Sequence, residues 1–377
     1  MREGLLPVFL CGDVMLGRGI DQILAHPGFP EVREESVRDA RTYVRLAEEV
    51  HGRIPRPVPP AWPWGDALAV LDDAAPAARI VNLETSVTRS ADFAPGKEVC
   101  YRMSPANLPC LEAVRPDVCV LANNHVLDFG VRGLTETLRV LSGAGLRTAG
   151  AGADLAAARR PAIVPVDDDH RVLVLAVGAA SSGIPPSWSA AQRRPGVRLL
   201  PSLSPATADD VALQARQLRR PGDVVIVSVH WGSNWGYAAT DEQVRFAHRL
   251  IEGGVDVVHG HSSHHPRPIE VYRDRLVLYG CGDFVDDYEG IGGYEEYRPE
   301  LRIAYVAGLA PESGRLVELR MTVLRAHQMR LQRAPDEDVA WLRAQLDGRR
   351  GTAVVPGADG GLVVRPTPLR RNPVAPD

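Results

Sequence analysis

Seven short apolar runs constrain this chain most: LPVFLCGD, RIVNLE, DVCVLANNH, RVLVLAVG, DVVIVSVHWG, DVVHGH and RLVLYGCGDF. They are rich in Val, Leu and Ile, and Gly, Asn, Asp, Glu or His stands at or beside the end of each. Runs of this length without polar alternation read as strands covered on both faces. Between several of them lie segments such as GLTETLRVLSGAG and DEQVRFAHRLIEGG, with apolar residues three and four apart and glycine at the end, the pattern of amphipathic helices. Strand and helix in alternation predict an α/β chain, in which reactive side chains gather at the carboxyl ends of strands.

With 377 residues, 45% hydrophobic and 24% charged, the chain can bury a substantial core. Its net charge of -4 argues against nucleic acid as the main partner, since a polyanion calls for a basic face. No stretch reaches the roughly 18 apolar residues of a membrane span, and the first residues lack the pattern of a signal peptide, so a cytoplasmic protein without a membrane partner is expected. Cys11, Cys100, Cys110, Cys119 and Cys281 form no CxxC pair, which predicts reduced, buried thiols. The proline-rich VHGRIPRPVPPAWPWGD, with the helical segment before it, predicts an insertion over about 28–66 that caps the mouth of a site. Residues 1–330 are expected to form the catalytic domain, and 331–377 a partly mobile carboxyl-terminal extension.

The polar residues at the strand ends are metal-ligating types: Asp13, Glu84, Asn123 and Asn124 with His125, His230, and His259, His261 and His264 in HGHSSHH. A metal needs ligands that converge from separate parts of the chain, and the ends of neighbouring strands supply that convergence without a local Cys-His motif.

The blocks GDVMLGR, NLETSVT, NNHVLDFG, HWG and GHSSHHPRPIEVYRDRLVLYGCGDF resemble those of the CapA family of poly-γ-glutamate capsule synthesis proteins, which shares the calcineurin-like metallophosphatase fold. The resemblance spans about residues 7 to 310. It implies a two-sheet β-sandwich flanked by helices, in four layers α/β/β/α, with a metal at one end. Two departures stand out: Met15 and Ser263 occupy positions where the fold's motifs carry histidine, and both missing imidazoles would serve the same one of two metals. The retained set is Glu84, Asn124, His230 and His261, with Asp13 nearby. One divalent ion is therefore expected, Ca²⁺ or Mg²⁺/Mn²⁺ on the oxygen-rich share of the ligands, with Zn²⁺ also compatible.

His125 with Asp128, and His264 with Asp283, are then available as acid-base pairs; His265 is an alternative to His264. Two such pairs around a cation suit removal of a proton from a carbon acid and its return on the other face. The chain is similar in this respect to the lasso-peptide epimerases within the CapA-like group, an isomerase reading in which the Cα of a precursor peptide's carboxyl-terminal residue, Trp-like, is inverted. Hydrolysis of phosphoesters or of γ-glutamyl peptides is the alternative. Trp231 and Trp235 are candidates to receive a peptide side chain, and Arg18, Arg102 or Arg267 to pair with a terminal carboxylate.

Overall fold

The computed structural model describes residues 4–366. In chain order its principal strands are β1 (Leu6–Val14), β2 (Ala78–Leu83), β3 (Val118–Val120), β4 (Arg147–Ala149), β5 (Arg171–Ala179), β6 (Asp223–His230), β7 (Val257–His261), β8 (Ile269–Tyr272), β9 (Arg275–Leu278), β10 (Asp283–Val285), β11 (Leu301–Ala310), β12 (Arg315–Ala326) and β13 (Leu362–Val364). The longer helices are α1 (Arg18–Ile23), α2 (Arg41–His51), α3 (Ala67–Ala74), α4 (Gly130–Gly143), α5 (Pro205–Leu218), α6 (Asp241–Glu252) and α7 (Asp336–Leu346).

Two large sheets carry the fold. The first runs β13-β12-β11-β1-β2-β3-β4, with β10 added beside the end of β1; the second runs β5-β6-β7-β9-β8. The β1-β2-β3-β4 and β5-β6-β7-β9 pairings are parallel, so the polar residues that terminate these strands emerge on the same edge of each sheet.

Alternation along the strands decides which core each side chain joins. Val8, Leu10, Ile80, Val118 and Val120 of the first sheet share one hydrophobic cluster with Val172, Val174, Val224, Ile226 and Val257 of the second. The intervening residues face away: Phe9, Cys11, Val81 and Cys119 join Ile20, Val44, Leu71 and Leu134 of the helices, while Leu173, Leu175, Val225 and Val227 meet Val211 of α5 and Phe246 and Leu250 of α6. The five cysteines are all free and buried, as their spacing predicted.

Local chemistry fixes the helix starts. Ser204 accepts from the Thr207 N–H with Pro205 in the first turn of α5, and Thr240 and Gln243 form a reciprocal capping box on α6, each satisfying donors that a helix otherwise leaves orphaned. At the entry to the second sheet, Asp223 pairs bidentately with Arg171, its register partner on β5.

The segment expected to cap the site packs by Tyr43, Val44 and Ala47 of α2 into the helix-side core. In the expected extension after 330, β13 pairs antiparallel with β12 and Leu342 and Leu346 of α7 enter the inter-sheet core. Residues 367–377, the end of that extension, lie outside the described residues. Among the described residues, no helix is long and apolar enough to cross a membrane.

Candidate metal centre

Asp13, at the end of β1, is the hub. Its register neighbours are Asn82 on β2 and Asp283 on β10. The approach of β1 to β10 requires glycine, since a Cβ on Gly12 would stand 1.6 Å from the Gly282 carbonyl oxygen. Asn82 donates to Asp13 Oδ1 at 2.7 Å and to Glu84 Oε2 at 3.2 Å, and Ser262 N–H donates to Asp13 Oδ2 at 3.2 Å.

From the second sheet come two imidazoles in direct register, His230 on β6 and His261 on β7. Their Nδ1 atoms are 2.7 Å apart, His261 Nε2 meets Ser228 Oγ at 2.8 Å, and His230 Nε2 faces Asn124 Oδ1 at 3.0 Å. Glu84 Oε1 lies 3.7 Å from His125 Nε2 and 3.8 Å from His230 Nε2.

Among the described residues, two groups have donor atoms within 4.8 Å of one another: Asp13, His230 and His261; and Asp13, His264 and Asp283. The expected ligands Asp13, Glu84, Asn124, His230 and His261 thus converge, and the second group is built from a pair that sequence reasoning assigned to proton transfer. The donors fit a cation. Asp13, Glu84 and Asp283 are 0–2% exposed, and among the described residues their ion-pair partners are imidazoles only. Burial, with the charge of Asp283, pushes Asp13 up to about 7, and burial with Asp13 raises Glu84 well above the carboxylate range. Asp283 Oδ2 is buried without a hydrogen-bond partner. Such a cluster is costly to keep uncompensated, and oxygen and imidazole donors suit a divalent ion. Met15 and Ser263 supply nothing here, because the Met15 thioether accepts from Tyr288 and Ser263 donates to the His265 carbonyl.

His125 Nδ1 donates to Asp128 Oδ2 at 2.7 Å, leaving Nε2 toward Glu84. Asn123 builds this turn by accepting from the N–H groups of His125 and Val126. Burial holds His125 well below the ordinary imidazole range, hence neutral, and raises Asp128 to about 7 against the pull of Lys97, whose Nζ is 3.4 Å from Oδ1. The second pair behaves oppositely. Burial works to lower His264, but Asp283, 2.9 Å from its Nδ1, reverses this and raises it. Glu84, Lys97, Tyr101, Asn124, His125, His264 and Tyr288 line one cavity of about 540 Å³.

Other sequence candidates are placed elsewhere. Arg18 is buried in ion pairs with Asp287 and Glu34 beneath the Tyr43 ring, so its charge is already met within the chain. Arg102 donates to the carbonyls of Ser90 and Phe29, a loop clasp. Trp231 is fully buried, stacked on Tyr279 and donating to its carbonyl; its place is the core. Arg267 fastens the 233–235 loop. His259 ties the two sheets together by donating to the Cys11 carbonyl, and His265 packs between Trp235, Tyr237 and Tyr297. Trp235 does border the site, with its ring 5.4 Å from that of His264.

Sequence reasoning passed over Asn82, Tyr101, Tyr288 and Lys97. Asn82 carried the same signal as its neighbours, a polar residue at a strand end. Lys97 carried another, being the only lysine in a chain whose other side-chain cations of the Lys/Arg type are all arginine.

Residues 7–288 match the family model described as bacterial capsule synthesis protein PGA_cap. Probable polyglutamine synthesis accessory proteins of two Mycobacterium tuberculosis strains are 57% identical over 96% of this chain and 96% of their own length. The PGA biosynthesis protein CapA of Bacillus subtilis is 28% identical over 55% of this chain and 52% of its own. The converging strand-end ligands and these matches agree: the chain belongs to the PGA_cap, or CapA, family.

Proposed function

We propose that the chain is a metal-dependent enzyme that works by acid-base catalysis on a peptide chain, inverting a Cα centre. The observation that carries this reading is the pairing of a neutral imidazole, His125, with a raised one, His264, on a single cavity. Groups whose surroundings push their proton affinities apart are suited to be base and acid. The arrangement around them supports the calcineurin-like, four-layer architecture that the motifs resemble.

In this reading Asp13, Glu84, Asn124, His230 and His261 hold a divalent ion, which as a Lewis acid would favour negative charge developing on a substrate carbonyl oxygen. Asp128 orients His125 and fixes the Nδ1–H tautomer, so that Nε2 takes the proton from Cα. His264, held protonated by Asp283, returns a proton on the other face. The relatives' names favour a substrate of glutamyl or glutaminyl residues; a lasso-type precursor ending in an aromatic residue is the other peptide that the motifs suggest.

A second reading is hydrolysis of a γ-glutamyl or phosphoester bond. The group Asp13, His264 and Asp283 favours it, because a second ion there would give a two-metal centre. Incubation in D₂O with a divalent ion and either a γ-linked glutamate oligomer or an aromatic-terminated peptide separates the two. Inversion puts one deuterium on Cα, read by mass spectrometry, with the chain intact. Release of free amine without deuterium, or no reaction on either peptide, would sink the first reading.

A further inference from the structure

The cavity at the centre is not isolated. Asn234, His264 and Tyr288 are walls that it shares with a smaller cavity beside Trp235. That one in turn shares Tyr288, Ile291 and Pro299 with a third, of about 740 Å³, which reaches Arg325 near the end of β12. Trp235 and Tyr294 stack at 3.9 Å along the middle stretch.

Charges in the third cavity are unevenly satisfied. Each of its carboxylates already has partners within the chain: Glu289 accepts from the N–H groups of Gln328 and Met329, Glu295 from Gly293, and Glu300 and Asp338 from Arg298. Arg302 is paired with Asp286. Arg325 is the exception. Among the described residues no carboxylate pairs with it although it lines the cavity, so its guanidinium is the one there without an ion-pair partner and favours a ligand that brings an oxyanion.

We propose that the Arg325 cavity is a carboxylate-binding subsite, which holds a distal residue of an extended acidic peptide whose reacting residue lies at the Asp13 centre. This rests on the reading of that centre as one that acts on a peptide chain. Phosphate shares the anionic chemistry, but a groove of linked cavities with an aromatic wall fits a chain better than a free ion.

Calorimetry on the full chain with a γ-linked glutamate pentamer tests it, with inorganic phosphate as the second arm. Arg325→Gln should weaken pentamer binding by about tenfold or more, the effect of losing a charge-assisted pair, and Arg325→Lys should recover part of it. Thermal melts of both variants show whether they fold; if Arg325→Gln does not, the Lys variant and the salt dependence of wild-type binding decide. Unchanged affinity in a folded Arg325→Gln, or phosphate binding as tightly as the pentamer, would overturn the subsite. Because binding is read without turnover, a pentamer that binds through Arg325 yet never reacts would count against the proposed function and leave the subsite standing.

Discussion

At the scale of single residues, the centre depends on which atom of each imidazole is already engaged. Asp128 takes the Nδ1 side of His125 and also accepts the Tyr101 N–H at 2.7 Å, so the ring has little freedom to turn. Asp128→Asn removes the partner that selects the tautomer while keeping the shape. Turnover should fall by about 10²–10⁴-fold, in the range of a lost acid-base group, with ion affinity within a few-fold of wild type by calorimetry; a fully active variant would remove Asp128, and the tautomer it selects, from the mechanism. Residue type leaves open what burial and partners decide. Arg18, Arg102 and Trp231 belong to types that bind carboxylates and aromatic rings, yet each is occupied by partners far apart in sequence. Lys97 went unnoticed for the converse reason: it stands in a polar loop, APGKEVC, where no periodicity points anywhere.

At the scale of elements, strands were legible because a strand covered on both faces shows as an unbroken apolar run, and their polar ends announced Asp13, Glu84, His230 and His261. The pairing of strands distant in sequence was not legible. Nothing local tells that β10 lies beside β1, which is what brings Asp283 to Asp13. The Arg171–Asp223 pair at the start of β5 and β6 offers a test of how this register is held. Arg171 holds Asp223 below the usual carboxylate range against the raising effect of burial, so the unfolded state binds the proton more readily than the folded one. The pair's contribution is therefore present above the unfolded value of about 3.9 and lost as pH falls through the lower folded value. Asp223→Asn should cost about 2 kcal/mol at pH 7, as for a charged hydrogen-bonded pair, and the gap to wild type in urea melts should close below about pH 4. A gap that persists undiminished into acid would show that the variant acts through packing instead.

At the scale of the whole molecule, the centre joins the ends of two sheets that meet over a shared core, so an ion held there ties together parts of the chain far apart in sequence. The residues that could hold it run from Asp13 to His261, with Asp283 beyond. A divalent ion at about 100 times its dissociation constant should add about 2.7 kcal/mol to stability, seen as a rise in melting temperature that EDTA reverses. His261→Ala should abolish most of that rise, and a wild-type melt indifferent to Ca²⁺, Mg²⁺, Mn²⁺ and Zn²⁺ alike would refute the metal assignment. At this scale the arginine-rich composition after 330 gives no sign that the short apolar run LVV pairs as β13 with β12.

Asp13 stands in both candidate groups and offers them a single carboxylate. A proton, a cation or a substrate N–H that settles on the His230 side changes what the His264 side can hold, and the reverse effect is equal in free energy. The two banks of the cleft are thus thermodynamically linked through one carboxylate, and neither can be loaded, emptied or titrated without the other registering it.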